Sequence, residues 1–103
     1  MSNLEIRIYY EDTDSEGVVY YANYLKFLER GRTEFLRELG FDLEEIKNEF
    51  SLIFAVKSVN AEYMSPARLN DLILIKTQVK KYGKVSIEFD QMIYSGNDNK
   101  VLF

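Results

Sequence analysis

The chain has 103 residues, eight of them tyrosine and seven phenylalanine. That is enough apolar surface for one small folded domain, and little enough that a partner subunit would add stability. It has no cysteine and no histidine, which excludes disulfides, thiolate nucleophiles, Cys/His zinc sites and every histidine general base. A net charge of −4 argues against nucleic-acid binding. No apolar run approaches a membrane span, and the polar start is not a signal peptide, so a cytoplasmic location is expected.

Leu4, Ile6, Ile8 and Tyr10 alternate with Glu5, Arg7 and Tyr9, which predicts a half-buried strand. Residues 11–18 form a polar loop. From about Ala22 the period changes: Tyr24, Phe27, Leu28, Gly31, Phe35 and Leu39 share one face of a long amphipathic helix that Gly40 stops. Gly31 inside that stripe points to close packing of the helix on a sheet. A short helix or turn is predicted over Asp42 to Asn48 and a long strand over Leu52 to Tyr63. Ser65 to Asp71 is a turn-rich break. Leu72 to Lys81 reads as a strand with Ile73, Ile75, Thr77 and Val79 on one face. Tyr82-Gly83-Lys84 turns the chain into a second strand carrying Val85, Ile87, Phe89, Gln91 and Ile93, and the pair forms an antiparallel hairpin. After a turn at 95–99, Lys100 to Phe103 begins a further strand. The order predicts an α+β layer, one long helix wrapped by an antiparallel sheet.

Glu11, Asp12, Asp14 and Glu16 crowd together just before the long helix. They can cap its N–H groups and complement its dipole. They do not make an EF-hand, because position 12 of the loop is Asn23 and a strand precedes it. A carboxylate pair of the glycosidase type has no spacing to fix it. Acyl transfer needs a nucleophile or base at a carbonyl carbon and a donor for the oxyanion. A carboxylate next to a helix N-terminus supplies both, and Gly17 lets the backbone approach a substrate closely.

The run from Tyr9 to Arg32, Y-Y-E-D-T-D-S-E-G-V-V-Y-Y-A-N-Y-L-K-F-L-E-R-G-R, resembles the signature of the hot-dog-fold acyl-CoA thioesterases. It is most similar to the 4-hydroxybenzoyl-CoA thioesterase branch and its YbgC-like members. Weaker similarity continues through Ala61, Pro66-Ala67 and Asp71 into the later strands. The resemblance implies a single hot-dog domain over 1–103 whose last strand is short or missing. It implies hydrolysis of an acyl-CoA thioester, with no cofactor because the CoA thioester is itself the substrate. Asp14, the Asp of Thr-Asp-x-x-Gly, takes the family's catalytic carboxylate position. Tyr21 supplies the backbone N–H that polarises the carbonyl, and Gly17 matches the motif glycine. Many YbgC-like members have histidine where this chain has Tyr21, so any side-chain role of that histidine is lost here. Glu29 matches a position that can line the acyl pocket, and an ion pair with Arg30 or Arg32 is the competing role. Tyr24 is core or pocket wall.

The resemblance further assigns the phosphates of CoA to basic residues near the hairpin, often from a neighbouring subunit. Lys80, Lys81 and Lys84 surround that turn and Arg68 lies in the earlier one; lysines that keep a sheet edge from aggregating are the alternative. A homodimer or homotetramer is expected, with no nucleic acid and no membrane insertion. The rival function is a non-catalytic hot-dog domain that binds acyl groups or a protein partner. A hot-dog dehydratase is disfavoured, since that chemistry normally uses a histidine.

Overall fold

The computed structural model describes residues 2–50, 55–83, 86–96, 98 and 100–103. Strand β1 (Ser2–Arg7) leads through a 3-10 turn at Tyr10–Asp12 and a polar loop into helix α1 (Asn23–Glu38). A short helix α2 (Leu43–Phe50) follows, and strands β2 (Leu72–Tyr82) and β3 (Ile87–Ser95) complete the order. The sheet is antiparallel with β2 in the centre. Leu4 stands opposite Ile75 on one side of it, and Ile75 stands opposite Ile93 on the other.

Alternation decides which face is covered. Ile73, Ile75 and Thr77 of β2 are buried, as is Ile93 of β3, while the intervening residues are at least partly exposed. Val79, expected on the same face, is 37% exposed. Helix α1 lays Tyr24, Phe27, Leu28, Gly31 and Phe35 onto this face. Ile8, Val19, Ala67, Leu102 and Phe103 close the core around them. Gly31 is where the layers come closest: a Cβ there would lie 2.7 Å from Ile75 Cγ2 and 2.9 Å from Thr77 Oγ1. The helix stops at Gly40, whose φ of +93° suits glycine. The Gly40 N–H donates to Arg37 O and the Phe41 N–H to Leu36 O, a Schellman closure.

Three expectations are corrected. The first strand ends at Arg7 and leaves Tyr10 82% exposed, because the Asp12 carboxylate accepts the Tyr9 N–H at 2.9 Å and curls the chain into a turn. The strand expected over 52–63 is not seen: 52–54 lie outside the described residues, and 55–64 are exposed in no regular structure. Among the described residues no strand lies beside this segment, and its only backbone bonds are those of the Met64 and Ser65 N–H groups to Leu102 O. The four residues from Lys100 make an isolated bridge between Val101 and Tyr94 rather than a strand, with the Leu102 N–H donating to Ile93 O at 2.8 Å.

Candidate active site

The acidic loop is a small hairpin of its own. Thr13 bridges Val19, and Val18 bridges Arg68, so the loop is stitched both to itself and to the turn before β2. The Asp14 N–H donates to Val18 O at 2.9 Å and the Gly17 N–H to Asp14 O at 3.0 Å. Gly17 holds a φ of +77°, and that left-handed backbone, which favours glycine, makes the reversal. The Asp14 side chain is exposed, with Oδ1 accepting the Glu16 N–H at 2.9 Å.

The capping role open to the acidic cluster is not what these residues do. Position Ala22 caps α1 with no side-chain bond, and the first turn of the helix contains no acid. What ties the helix to the loop is Asn23, which the sequence reading did not single out. Its Nδ2 donates to Asp12 O at 2.9 Å, and the Tyr20 N–H donates to the same carbonyl at 3.0 Å. An amide at the first helical position behind an acidic run was the available signal.

Tyr21 directly precedes Ala22, the N-cap of α1. Among the described residues its peptide N–H donates to no protein acceptor, whereas Asn23, Tyr24 and Leu25 already donate to carbonyls of the preceding turn. Its ring, 61% exposed, packs against Tyr20 at 4.9 Å and Tyr63 at 6.1 Å between centroids. The Tyr20 phenol is held above its ordinary pKa, first by Tyr21 and more weakly by the Asp14 charge. Tyr21 also forms a wall of an open groove of about 280 Å³, with Val19, Tyr24, Tyr63, Met64 and Pro66. Asp14 is not part of that wall. Tyr63 ends the expected strand and Met64 follows it, and no motif marks them as groove residues.

The remaining candidates divide by location. Tyr24 is both core and groove floor: 3% exposed, it accepts the Ala67 N–H at 3.0 Å and stacks on Phe103 at 5.2 Å. Burial raises its phenol pKa. Glu29 is exposed and makes no ion pair among the described residues; its Oε1 accepts the Thr33 hydroxyl at 2.9 Å. Arg30 lies over the Phe27 ring, and the half-buried Arg32 donates to Gln91 Oε1 at 2.9 Å. Desolvation lowers the Arg32 guanidinium's pKa, partly opposed by Glu29.

Arg68 is beside the Asp14 loop through its bridge to Val18. Lys80 and Lys81 are at the far end of β2, about 26 and about 30 Å from Leu72 at a rise of about 3.3 Å per residue. Lys80 Nζ lies 3.9 Å from Glu88 Oε2. Lys84 lies outside the described residues. Within one chain the basic candidates therefore do not converge. No described helix is long and apolar enough to cross a membrane.

The sequence model of the thioesterase superfamily matches residues 16–102. An acyl-CoA thioesterase YbgC of Haemophilus influenzae is 44% identical over 88 residues, 85% of this chain and 65% of its own. An acyl-CoA thioester hydrolase YbgC of Escherichia coli is 41% identical over 93 residues, 90% of this chain and 69% of its own. The chain thus spans about two thirds of the length of these curated relatives. Among solved structures, a probable thioesterase from Bartonella henselae superposes with a TM-score of 0.92 at 35% identity, covering 98% of this chain and 82% of that one. The single long helix on an antiparallel sheet is the hot-dog arrangement.

Proposed function

The chain belongs to the thioesterase superfamily, and on that premise we propose that it hydrolyses an acyl-CoA thioester to a carboxylic acid and free CoA. One observation carries this most. The Asp14 loop and the unengaged N–H of Tyr21 are held to one carbonyl chain, since Asp12 O binds both the Tyr20 N–H and the Asn23 amide. A carboxylate and a donor just ahead of the helix thereby lie on the same short segment, and the donor's residue, Tyr21, lines an apolar groove that suits an acyl group.

The thioester carbonyl oxygen accepts the Tyr21 N–H, reinforced by the positive end of α1. One such donor contributes roughly 2.7–4 kcal/mol to the transition state in comparable oxyanion holes. Asp14 acts at the carbonyl carbon by one of two routes. In the first, its oxygen attacks, the C–S bond breaks, the CoA thiolate leaves and takes a proton from water, and a second water opens the mixed anhydride. In the second, the carboxylate takes a proton from the attacking water. Single-turnover hydrolysis in labelled water tests the first route: label in Asp14 marks attack by the side chain with the anhydride opened at the aspartyl carbonyl, and trapping of an acylated Asp14 marks the same route where water opens the anhydride at the acyl carbon.

Asp14→Asn is the decisive variant, because an amide oxygen can still accept the Glu16 N–H and keep the loop. It is expected to lose about 10²–10⁴-fold in turnover while acyl-CoA still binds. Undiminished thiol release would remove Asp14 from the chemistry. Binding of acyl-CoA with no release from the unaltered protein would favour the non-catalytic acyl-binding domain. Catalysis is proposed to occur in a homodimer or homotetramer, in the cytoplasm and without a cofactor. A second copy also offers the way to bring Lys80 and Lys81 toward a groove they do not reach in their own chain.

A further inference from the structure

Gln91 of β3 reaches out of the sheet to the backbone of α1. Its Nε2 donates to Leu28 O at 2.8 Å and to Thr77 Oγ1 at 3.0 Å, and its Oε1 accepts from Arg32 Nη1 at 2.9 Å. Leu28 O can only accept and the guanidinium can only donate, so the amide stands one way round. A carbonyl inside a helix ordinarily accepts the N–H four residues on, and its second lone pair is free to take the side-chain donor. Gly31 opens the path: a Cβ there would lie 3.1 Å from Gln91 Nε2. Among the described residues no other hydrogen bond joins α1 to a strand.

The helix is also held near its start. The Asn23 amide donates to Asp12 O, and the Tyr24 hydroxyl accepts the Ala67 N–H. Those bonds fix one end, and a rod fixed at one end can still pivot. Apolar packing does little to set its direction, because burial is a non-directional force. Leu28 lies five residues beyond Asn23, about 7.5 Å along the axis at a rise of about 1.5 Å per residue. Polar ties at two points that far apart set the tilt of α1 as well as its place. The half-buried Arg32, one turn further on, is drawn to the same amide and strengthens the second tie.

We propose that Gln91 is a positioning residue for the thioester reaction: by fixing the tilt of α1 it fixes the direction in which the Tyr21 N–H and the positive end of the helix meet the carbonyl oxygen. The inference rests on the thioesterase reading, in which that N–H polarises the carbonyl. Gln91 is no part of the groove wall and acts through the helix. A misplacement of about 1 Å at a reacting centre can cost on the order of 10²-fold in rate, so a small pivot is enough to matter.

The test follows thiol release from acetyl-, butyryl-, palmitoyl- and benzoyl-CoA by the unaltered protein, Gln91→Met and Gln91→Glu. Methionine keeps the length of the side chain and removes its hydrogen bonds. Glutamate keeps an acceptor for Arg32, which supports the fold if Gln91→Met loses it, but near neutral pH it has no proton for Leu28 O. Both variants are expected to lose roughly 10–10²-fold in kcat and as much in kcat/KM, with KM unchanged, the mark of a contact made only in the transition state. Ile73→Val, which trims the core and breaks no hydrogen bond, is expected to lower Tm and keep kcat. Infrared difference spectra of the fastest of these esters, labelled at its carbonyl and bound to Asp14→Asn, give an independent readout. The shift of its C=O stretch to lower frequency should shrink in Asp14→Asn/Gln91→Met. The proposal is overturned if a folded Gln91 variant keeps kcat, if the loss appears in KM alone, or if the carbonyl shift is the same in both proteins. It is overturned too if neither variant folds, which marks a role in stability alone. Failure of the thioesterase reading looks different: the unaltered protein releases thiol from none of these esters, and this inference falls with it.

Discussion

Tyr24 shows how one side chain joins the core to the groove. Its hydroxyl is the acceptor for the buried Ala67 N–H, and Ala67 in turn receives the Val19 N–H at 2.8 Å on its carbonyl. The Asp14 hairpin is thus tied to the helix through this phenol as well as through Asn23. Tyr24→Phe keeps the stack on Phe103 but leaves a buried N–H without its partner, at a cost of about 1–3 kcal/mol. Urea unfolding near neutral pH is expected to register that loss. The pH dependence follows from the raised phenol pKa, caused first by burial. The folded state holds this proton more tightly than the unfolded chain, so the contribution is intact below about 10, the ordinary tyrosine value, and declines as pH rises past it. Tyr24→Phe should flatten that alkaline decline, which unfolding curves on either side of that value would display.

Helix α1 and the strands under it were readable because their periodicities differ and their stop signals are unambiguous. The apolar stripe from Tyr24 to Phe35, the glycine within it and the glycine after it all behave as the pattern requires. What was not readable is pairing. The run 55–63 has strand-like composition, yet a strand is made by a neighbour's backbone, and among the described residues none lies alongside. The same applies at the candidate site: Asp14, Gly17 and Tyr21 belong to one contiguous motif, whereas the groove wall of Tyr63 and Met64 comes from a distant segment that only folding brings near. Gly31 provides the element-scale test. Alanine there would gain about 1 kcal/mol of helix propensity, but its methyl group would stand under 3 Å from Ile75 and Thr77. Overpacking of that kind costs typically 1–3 kcal/mol. The clash should win, because both neighbours are buried in the central strand and cannot yield without moving the sheet. Gly31→Ala is expected to lower Tm by several degrees in a thermal scan, roughly 4–8 °C per kcal/mol for a domain of this size.

At the scale of the whole molecule, the side of the groove is bounded by a segment that the chain itself does not cover. Val56, Val59, Tyr63 and Met64 are each half or more exposed, on a stretch whose backbone N–H groups before Met64 have no protein acceptor among the described residues. A domain of 103 residues has limited surface to bury on its own, and an extended apolar segment of this kind is open to pairing with another chain. The proposed homodimer would satisfy both the apolar side chains and the open backbone there, and would add a second wall to the groove. Two consequences follow from mass action: Tm rises with protein concentration, and turnover per chain falls on dilution as dimers separate. Val59→Lys puts a charge on the exposed stretch, so it should shift sedimentation equilibrium toward the monomer without disturbing the buried core. Its turnover should recover as protein concentration is raised, which a defect confined to the catalytic loop would not show. A monomer at all concentrations with full thiol-releasing activity would place the complete site in one chain and remove the need for a partner.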